Sequence, residues 1–200
     1  FASSQDYQAA LDAAGHAERL LHTDNANEFD TLGVIFVQCH AYERAAHAFR
    51  RAARLAPADA AIRFNLGTAL TFLGDIDGAE HEFEASIGLN PYLWRAHHSL
   101  SQLRRQTKES NHIERLSKLA DNAQGKVTAT TFLNMALAKE LDDIGEYEDA
   151  FDRCVQGKSA PRQMLRYSRS KDAALFESLA SAFPSPHSPT TSDGSDLEDP

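Results

Sequence analysis

FDTLGVIFVQCHAYERAAHAFRRAARLAP (residues 29–57) and RFNLGTALTFLGDIDGAEHEFEASIGLNP (residues 63–91) carry one pattern twice. Leu32-Gly33 returns as Leu66-Gly67, Ala45 as Ala79, Phe49 as Phe83 and Pro57 as Pro91, each pair 34 residues apart. A fixed period of this size marks a helical repeat, in which each unit buries its apolar face only against its neighbours. Phe29, Leu32 and Phe36 stand at i, i+3 and i+7, one face of a first helix. Ala45, Phe49 and Ala52 do the same on a second helix. A small Ala where two helices cross lets their backbones approach, and the neighbouring aromatic fills the remaining gap. Pro57 and Pro91 cannot continue a helix and close each unit.

Outward from this pair, the period predicts the rest of the chain. Tyr7–Leu21, started by Asp6, reads as the second helix of a partial repeat spanning 1–25. Repeat 26–59 is predicted to hold helices near Glu28–Cys39 and Tyr42–Leu55, and repeat 60–93 helices near Ala60–Leu73 and Asp77–Leu89. Asp59 and Asp75 are cap residues by type, and Gly74 suits a left-handed helix stop. The unit 94–128 is degenerate, with Ser117 where an aromatic is due, and its helices are expected near Tyr92–Gln106 and Asn111–Asn122. In 129–160 the layout of Gly74 to Ala79 returns as Gly145 to Ala150, predicting helices near Ala129–Ile144 and Tyr147–Gln156 with Gly157 as the stop. Capping helices are expected in 161–183, near Arg162–Ser168 and Lys171–Phe183, where Leu175, Phe176, Leu179 and Phe183 form an apolar stripe. Residues 184–200 form a Pro/Ser-rich acidic linker with too little apolar surface to order itself.

The recurring set (an aromatic, Leu-Gly, another aromatic, a small Ala, an aromatic and a closing Pro) resembles the tetratricopeptide repeat. The resemblance implies an all-α, TPR-type α-solenoid: antiparallel helix pairs in a right-handed superhelix, here with a C-terminal helical cap and a disordered tail. In such arrays the first helix of each pair lines a concave groove. On this chain that face is expected to present Asn27, Asp30, Val34, Phe64, Thr68, Phe72, Arg95, His98, Gln102, Arg105, Met135 and Lys139. Some TPR modules clamp a C-terminal carboxylate with Lys, Asn and Arg on successive inner helices. Arg95 and Arg105 fit that role, but the first repeat offers Asp30 in place of a Lys.

Composition agrees with a helical, water-facing chain. Hydrophobic residues make up 42% and charged residues 24%, so a core can be buried without any run long enough to span a bilayer. The net charge of −9 includes Asp193, Asp196, Glu198 and Asp199 in the tail, which leaves −5 for the body and argues against nucleic acid as a partner. Cys39 and Cys154 are too few and too distant for a disulfide framework. They read as small buried hydrophobes in a reducing, cytoplasmic setting.

No catalytic constellation emerges. The histidines, among them His40, His47, His97, His98 and His112, lack an i, i+4 partner with a nearby Glu, and no paired-Cys spacing exists, so no metal is expected. Gly33 and Gly67 read as helix-packing glycines, not as a phosphate loop. The acids Asp142, Asp143, Glu146, Glu148 and Asp149 span a helix end and a turn, the ordinary place for a solvated face. Arg162, Arg166 and Arg169 stand at i, i+4 and i+7 in a stretch without acids. They are either a solvated face balancing those acids or a basic stripe that docks an acidic partner or a neighbouring domain.

Residues 132–151, FLNMALAKELDDIGEYEDAF, followed by Gly157-Lys158, Arg162, Tyr167, Asp172, Leu175-Phe176 and Phe183-Pro184, resemble the final repeat of bacterial proteins that join TPRs to a sulfotransferase domain. That resemblance implies a scaffold region preceding a domain that uses the sulfate donor PAPS. No residue of this chain matches the donor loop, so no cofactor and no catalysis are expected within it. The partners expected are a protein or peptide, or an adjacent catalytic domain. A free-standing adaptor that binds a peptide in its groove is the alternative.

Overall fold

The computed structural model describes residues 4–20, 24–123, 125–164 and 168–182, which hold ten α-helices and no strand. In order these are α1 (Ser4–Leu20), α2 (Ala26–Gln38), α3 (Tyr42–Leu55), α4 (Ala60–Leu73), α5 (Ile76–Leu89), α6 (Trp94–Gln102), α7 (Ile113–Asp121), α8 (Val127–Asp143), α9 (Tyr147–Met164) and α10 (Arg169–Ala182). The chain divides into two compact units, Phe1–Pro161 and Arg162–Pro200.

In the first unit, successive helices pack as the period requires: α2 on α3, α3 on α4, α4 on α5 and α5 on α6, with α1 against α2. The close approach falls at the two repeated glycines. A Cβ on Gly33 would lie 2.5 Å from the Phe49 ring, and one on Gly67 would lie 2.8 Å from the Phe83 ring. Phe49 and Phe83 are buried, as are Ala45 and Ala79, so the helices interlock through glycine against aromatic at the same register in both repeats. The caps are also as expected. Asp59 accepts hydrogen bonds from the Ala61 and Ile62 amides, and Asp75 from the Gly78 amide. Asp6, expected as a cap, instead lies inside α1.

One turn recurs three times. The amides of Ala41, Asp75 and Glu146 donate to the carbonyls of Phe36, Leu70 and Leu141, the six-to-one bond of a helix ending in a left-handed residue. That residue is Gly74 (φ 77°), Gly145 (φ 89°) and, in the first repeat, His40 (φ 58°). A side chain in this conformation costs energy that glycine avoids.

The apolar interior is broken into blocks. A large one runs from Ala14 to Leu100 through α1–α6. A second, built on Leu116, Leu133, Leu137 and Leu141, holds α7, α8 and the start of α9. A small third one groups Phe29, Ala52, Ala53 and Ile62.

The degenerate unit departs from the expected hairpin. α6 stops at Gln102 and α7 spans only nine residues, with a connector of residues 103–112 between them. α7 packs chiefly on α8, which also packs on α6. Three side chains of α8 hold the connector. Asp143 accepts from the Gln106 amide at 2.8 Å, and Lys139 donates to the Arg104 carbonyl and to Asp143. Glu140, fully buried, accepts from the His112 amide at 2.6 Å and from His112 Nδ1 at 2.8 Å. A carboxylate at the start of α7 satisfies an orphan amide and complements the helix dipole. Part of the acidic run read as a solvated face is therefore structural.

Further on, Gly157 does not stop α9, which continues through Pro161 to Met164. Gly157 is buried, and a Cβ there would meet the Thr131 carbonyl and Asn134 Cβ at 3.3 Å, so it serves the approach of α9 to α8. Both cysteines are free and half-buried, not enclosed as expected. In the second unit α10 has no buried residue, and its Leu175, Phe176 and Leu179 are exposed. Phe183 and the acidic linker 184–200 lie outside the described residues.

Candidate interaction groove

The inner helices α2, α4, α6 and α8 enclose a concavity of about 710 Å³. Val34 comes from α2, Phe64 and Thr68 from α4, Arg95 and His98 from α6, and Phe132 from α8. Helix periodicity explains the set. Val34 lies two residues after Leu32, Thr68 two after the equivalent Leu66 and Phe64 two before it, and Arg95 and His98 stand at i and i+3 on the next inner helix.

Among the described residues, Arg95 is the one cation with a fixed positive charge on this wall. Its guanidinium lies 5.3 Å from the centroid of the Phe64 ring, a cation–π arrangement. Among the described residues it has no carboxylate partner, whereas Arg44, Arg63, Arg104 and Arg115 are paired with Glu18, Glu82, Asp77 together with Glu80, and Glu84. His98 stands edge-on to the Phe132 ring at 5.6 Å, and burial holds its imidazole below the ordinary histidine value. Asp30 accepts from the Asn65 side-chain Nδ2 at 2.9 Å, which ties α2 to α4 beside the floor.

The other expected groove residues fall elsewhere. Asn27 lines a separate apolar depression between α1 and α2 with Ala17, Leu20 and Thr31. Phe72 stacks on Tyr42 of α3, with ring centroids 4.5 Å apart and planes 8° from parallel. Gln102 is exposed at the end of α6, and Met135 is half-buried beside Gly157. Arg105 belongs to the connector and not to an inner helix, where its guanidinium meets the Asp143 carbonyl at 3.4 Å. Lys139 is engaged by the connector as described, so neither Arg105 nor Lys139 is an open cation facing the groove. Arg162 is exposed on α9 and Arg169 on α10, two separate helices, and Arg166 lies outside the described residues. Phe132, Asn65 and Ser99 line the concavity but were not expected there. Their positions on inner helices carried the signal.

A polar network lies behind the groove, joining α5, α7 and α8. Arg115 grips Glu84 with two bonds of 2.8 and 2.9 Å, and His112 Nε2 is 3.6 Å from the same carboxylate. Burial pushes the Glu84 carboxyl up, but the Arg115 hydrogen bond and charge outweigh it and hold the group below its usual value. His97, buried against the Pro91 carbonyl at 3.0 Å, is held low chiefly by desolvation. Among the described residues no cluster of three metal-ligating side chains occurs, and no helix is long and apolar enough to cross a membrane.

Residues 60–92 match the tetratricopeptide repeat family. The fold of the described chain is that TPR-type helical solenoid. A crystal structure of MamA superimposes with a TM-score of 0.59 at 16% identity, over 82% of this chain and 93% of that one. A second MamA structure gives 0.53 at 14%, over 82% and 85%. A mutant O-GlcNAc transferase from Thermobaculum terrenum gives 0.47 at 26%, over 60% of this chain and 23% of that protein. At these identities the MamA likeness establishes fold alone. A search of curated proteins found no significant match.

Proposed function

We propose that this chain is a protein-interaction scaffold that holds an extended peptide in the concavity of α2, α4, α6 and α8. Arg95 anchors an acidic side chain there, and Phe64, Phe132 and Val34 seat an adjacent apolar one. The observation that carries the proposal is Arg95, without a carboxylate partner among the described residues, on the wall of a cavity that mixes aromatic and polar side chains. An Arg fork already lying over an aromatic ring has little freedom left to lose when it meets a carboxylate. TPR folds typically work through such surfaces, without chemistry of their own. The test is fluorescence anisotropy with labelled hexapeptides that carry one Asp or Glu beside Leu or Phe. Arg95→Ala weakens binding about tenfold, and Arg105→Ala leaves it unchanged. Equal losses in the two variants, or none in either, refute the assignment.

The likeness of residues 132–183 to the last repeat of TPR–sulfotransferase proteins supports a finer reading. On it, the scaffold positions a PAPS-dependent domain in the cytoplasm, and Arg162, Arg166 and Arg169 face that domain. Reading the coding sequence beyond Pro200 tests it, and a stop codon there ends it. Donor-dependent sulfation by residues 1–200 alone would also contradict it.

A further inference from the structure

Among the described residues, only Arg95 and His98 on the wall of the groove can carry charge. They stand at i and i+3 on α6, so their Cβ atoms are about 5–6 Å apart. Arg95 has no carboxylate partner, and neither ring nitrogen of His98 has a hydrogen-bond partner, among the described residues. The imidazole is half-buried and stands edge-on to Phe132 at 5.6 Å. Charged groups on the surrounding helices are engaged elsewhere and do not line the groove. Asp30 of α2 is held by Asn65, Arg63 of α4 by Glu82, and Glu84 of α5 by Arg115. On α8, Glu140 is held by His112 and Lys139 by Asp143, while His97 of α6 turns to the Pro91 carbonyl. Burial alone, with no neighbouring charge contributing, holds the His98 imidazole low, so the ring is neutral near pH 7.

Taking the concavity as the peptide groove proposed above, we infer that His98 is its second anion ligand, and that the peptide held there carries acidic side chains at i and i+2. Alternate residues of an extended chain lie about 6.8 Å apart on one face, close to the spacing of Arg95 and His98. One acid meets the guanidinium. The other meets an imidazole that must take up a proton to pair with it: a nearby carboxylate favours the charged ring, and burial opposes it. Bound anion therefore moves the ring's titration upward, and the pairing strengthens as the pH falls from the bound value toward the lower free one. Arg95 stays charged throughout, so a peptide whose single acid sits on it gains nothing from acidification.

Isothermal titration of the full chain at about pH 7.5 and 5.5 tests this with two end-blocked peptides, Ala-Asp-Leu-Asp-Ala and Ala-Asp-Leu-Asn-Ala, whose Asp side chains stay ionised over that range. On acidification the diacidic peptide gains about fivefold in affinity, and the monoacidic one less than about twofold. Binding of the diacidic peptide also takes up a proton, read as a heat that changes with the ionisation enthalpy of the buffer. His98→Gln keeps a donor but cannot charge. It removes both the gain and the proton uptake, with circular dichroism verifying the fold. Arg95→Ala weakens both peptides at both pH values. A gain equal for the two peptides, a gain that survives in His98→Gln, or no gain for the diacidic peptide overturns the role of His98 and leaves the Arg95 groove standing. If neither peptide binds at either pH, the groove itself fails and this role with it.

Discussion

Replacing Gly33 or Gly67 by Ala tests the packing that defines the repeat. In an exposed helix interior, Gly to Ala is stabilising by about 1 kcal/mol, because the unfolded chain loses freedom and propensity rises. At Gly33 the new methyl would sit 2.5–2.7 Å from three atoms of the Phe49 ring, and at Gly67 it would sit 2.8 Å from Phe83. Both rings are enclosed, at 1% exposure, so neither can swing aside. Overpacking of this kind costs about 1–3 kcal/mol, and contacts this short belong in the upper half of that range. The net expectation is a loss of about 1–2 kcal/mol at each site. Gly88, on α5 with nothing within 4 Å of its Cβ position, is the control and should gain about 1 kcal/mol as Gly88→Ala. Urea unfolding followed by far-ultraviolet circular dichroism reads all three as midpoint shifts at constant slope. In the double variant Gly33→Ala with Phe49→Leu, the smaller side chain makes room, so the two costs add to less than their sum. If Gly33→Ala and Gly67→Ala stabilise the protein as Gly88→Ala does, the close approach does not exist and the reasoning fails.

Three further outcomes follow from the same structure. Glu140→Ala strips the buried partner from the His112 amide and ring, and should cost about 3 kcal/mol and speed hydrogen exchange at that amide; exchange no faster than wild type refutes the capping role. His40→Gly, at the left-handed turn position where Gly74 and Gly145 stand, should raise stability by about 1 kcal/mol in thermal unfolding, and a destabilised variant would contradict it. Because burial holds His97 and His98 below the ordinary histidine value, the unfolded chain takes up protons first as the solution is acidified. Stabilisation present above about pH 6.5 is lost as the pH falls through that value toward the folded ones, and His97→Gln should flatten the decline in urea midpoint between about pH 7.5 and 5.5.

The repeat was legible because its determinants are local and periodic. The boundaries of α3 and α4 and the caps Asp59 and Asp75 follow from short-range chemistry that recurs every 34 residues. Where long-range contacts decide, the reading ran out. Nothing near residues 103–112 announces that Lys139, Glu140 and Asp143 hold that connector, so the third unit looked like a weakened hairpin. The same contacts withdraw Arg105 and Lys139 from the groove, while Arg95 keeps the open place its period assigns. Gly157 misled for a related reason: a glycine can end a helix or admit a neighbour, and only the partner at 3.3 Å tells which.

The connector also separates parts of the chain that can be copied from one that cannot. Residues 26–59 and 60–93 each close on their own glycine and phenylalanine contact and then meet chiefly through α3 against α4, so a duplicate inserted between them in register meets the same kind of surface on both sides. The segment from 94 to 143 is cut for one neighbour only, since the three α8 side chains answer to particular amides and carbonyls upstream. Lengthening by gene duplication is thus open to the front of the array and closed at its rear.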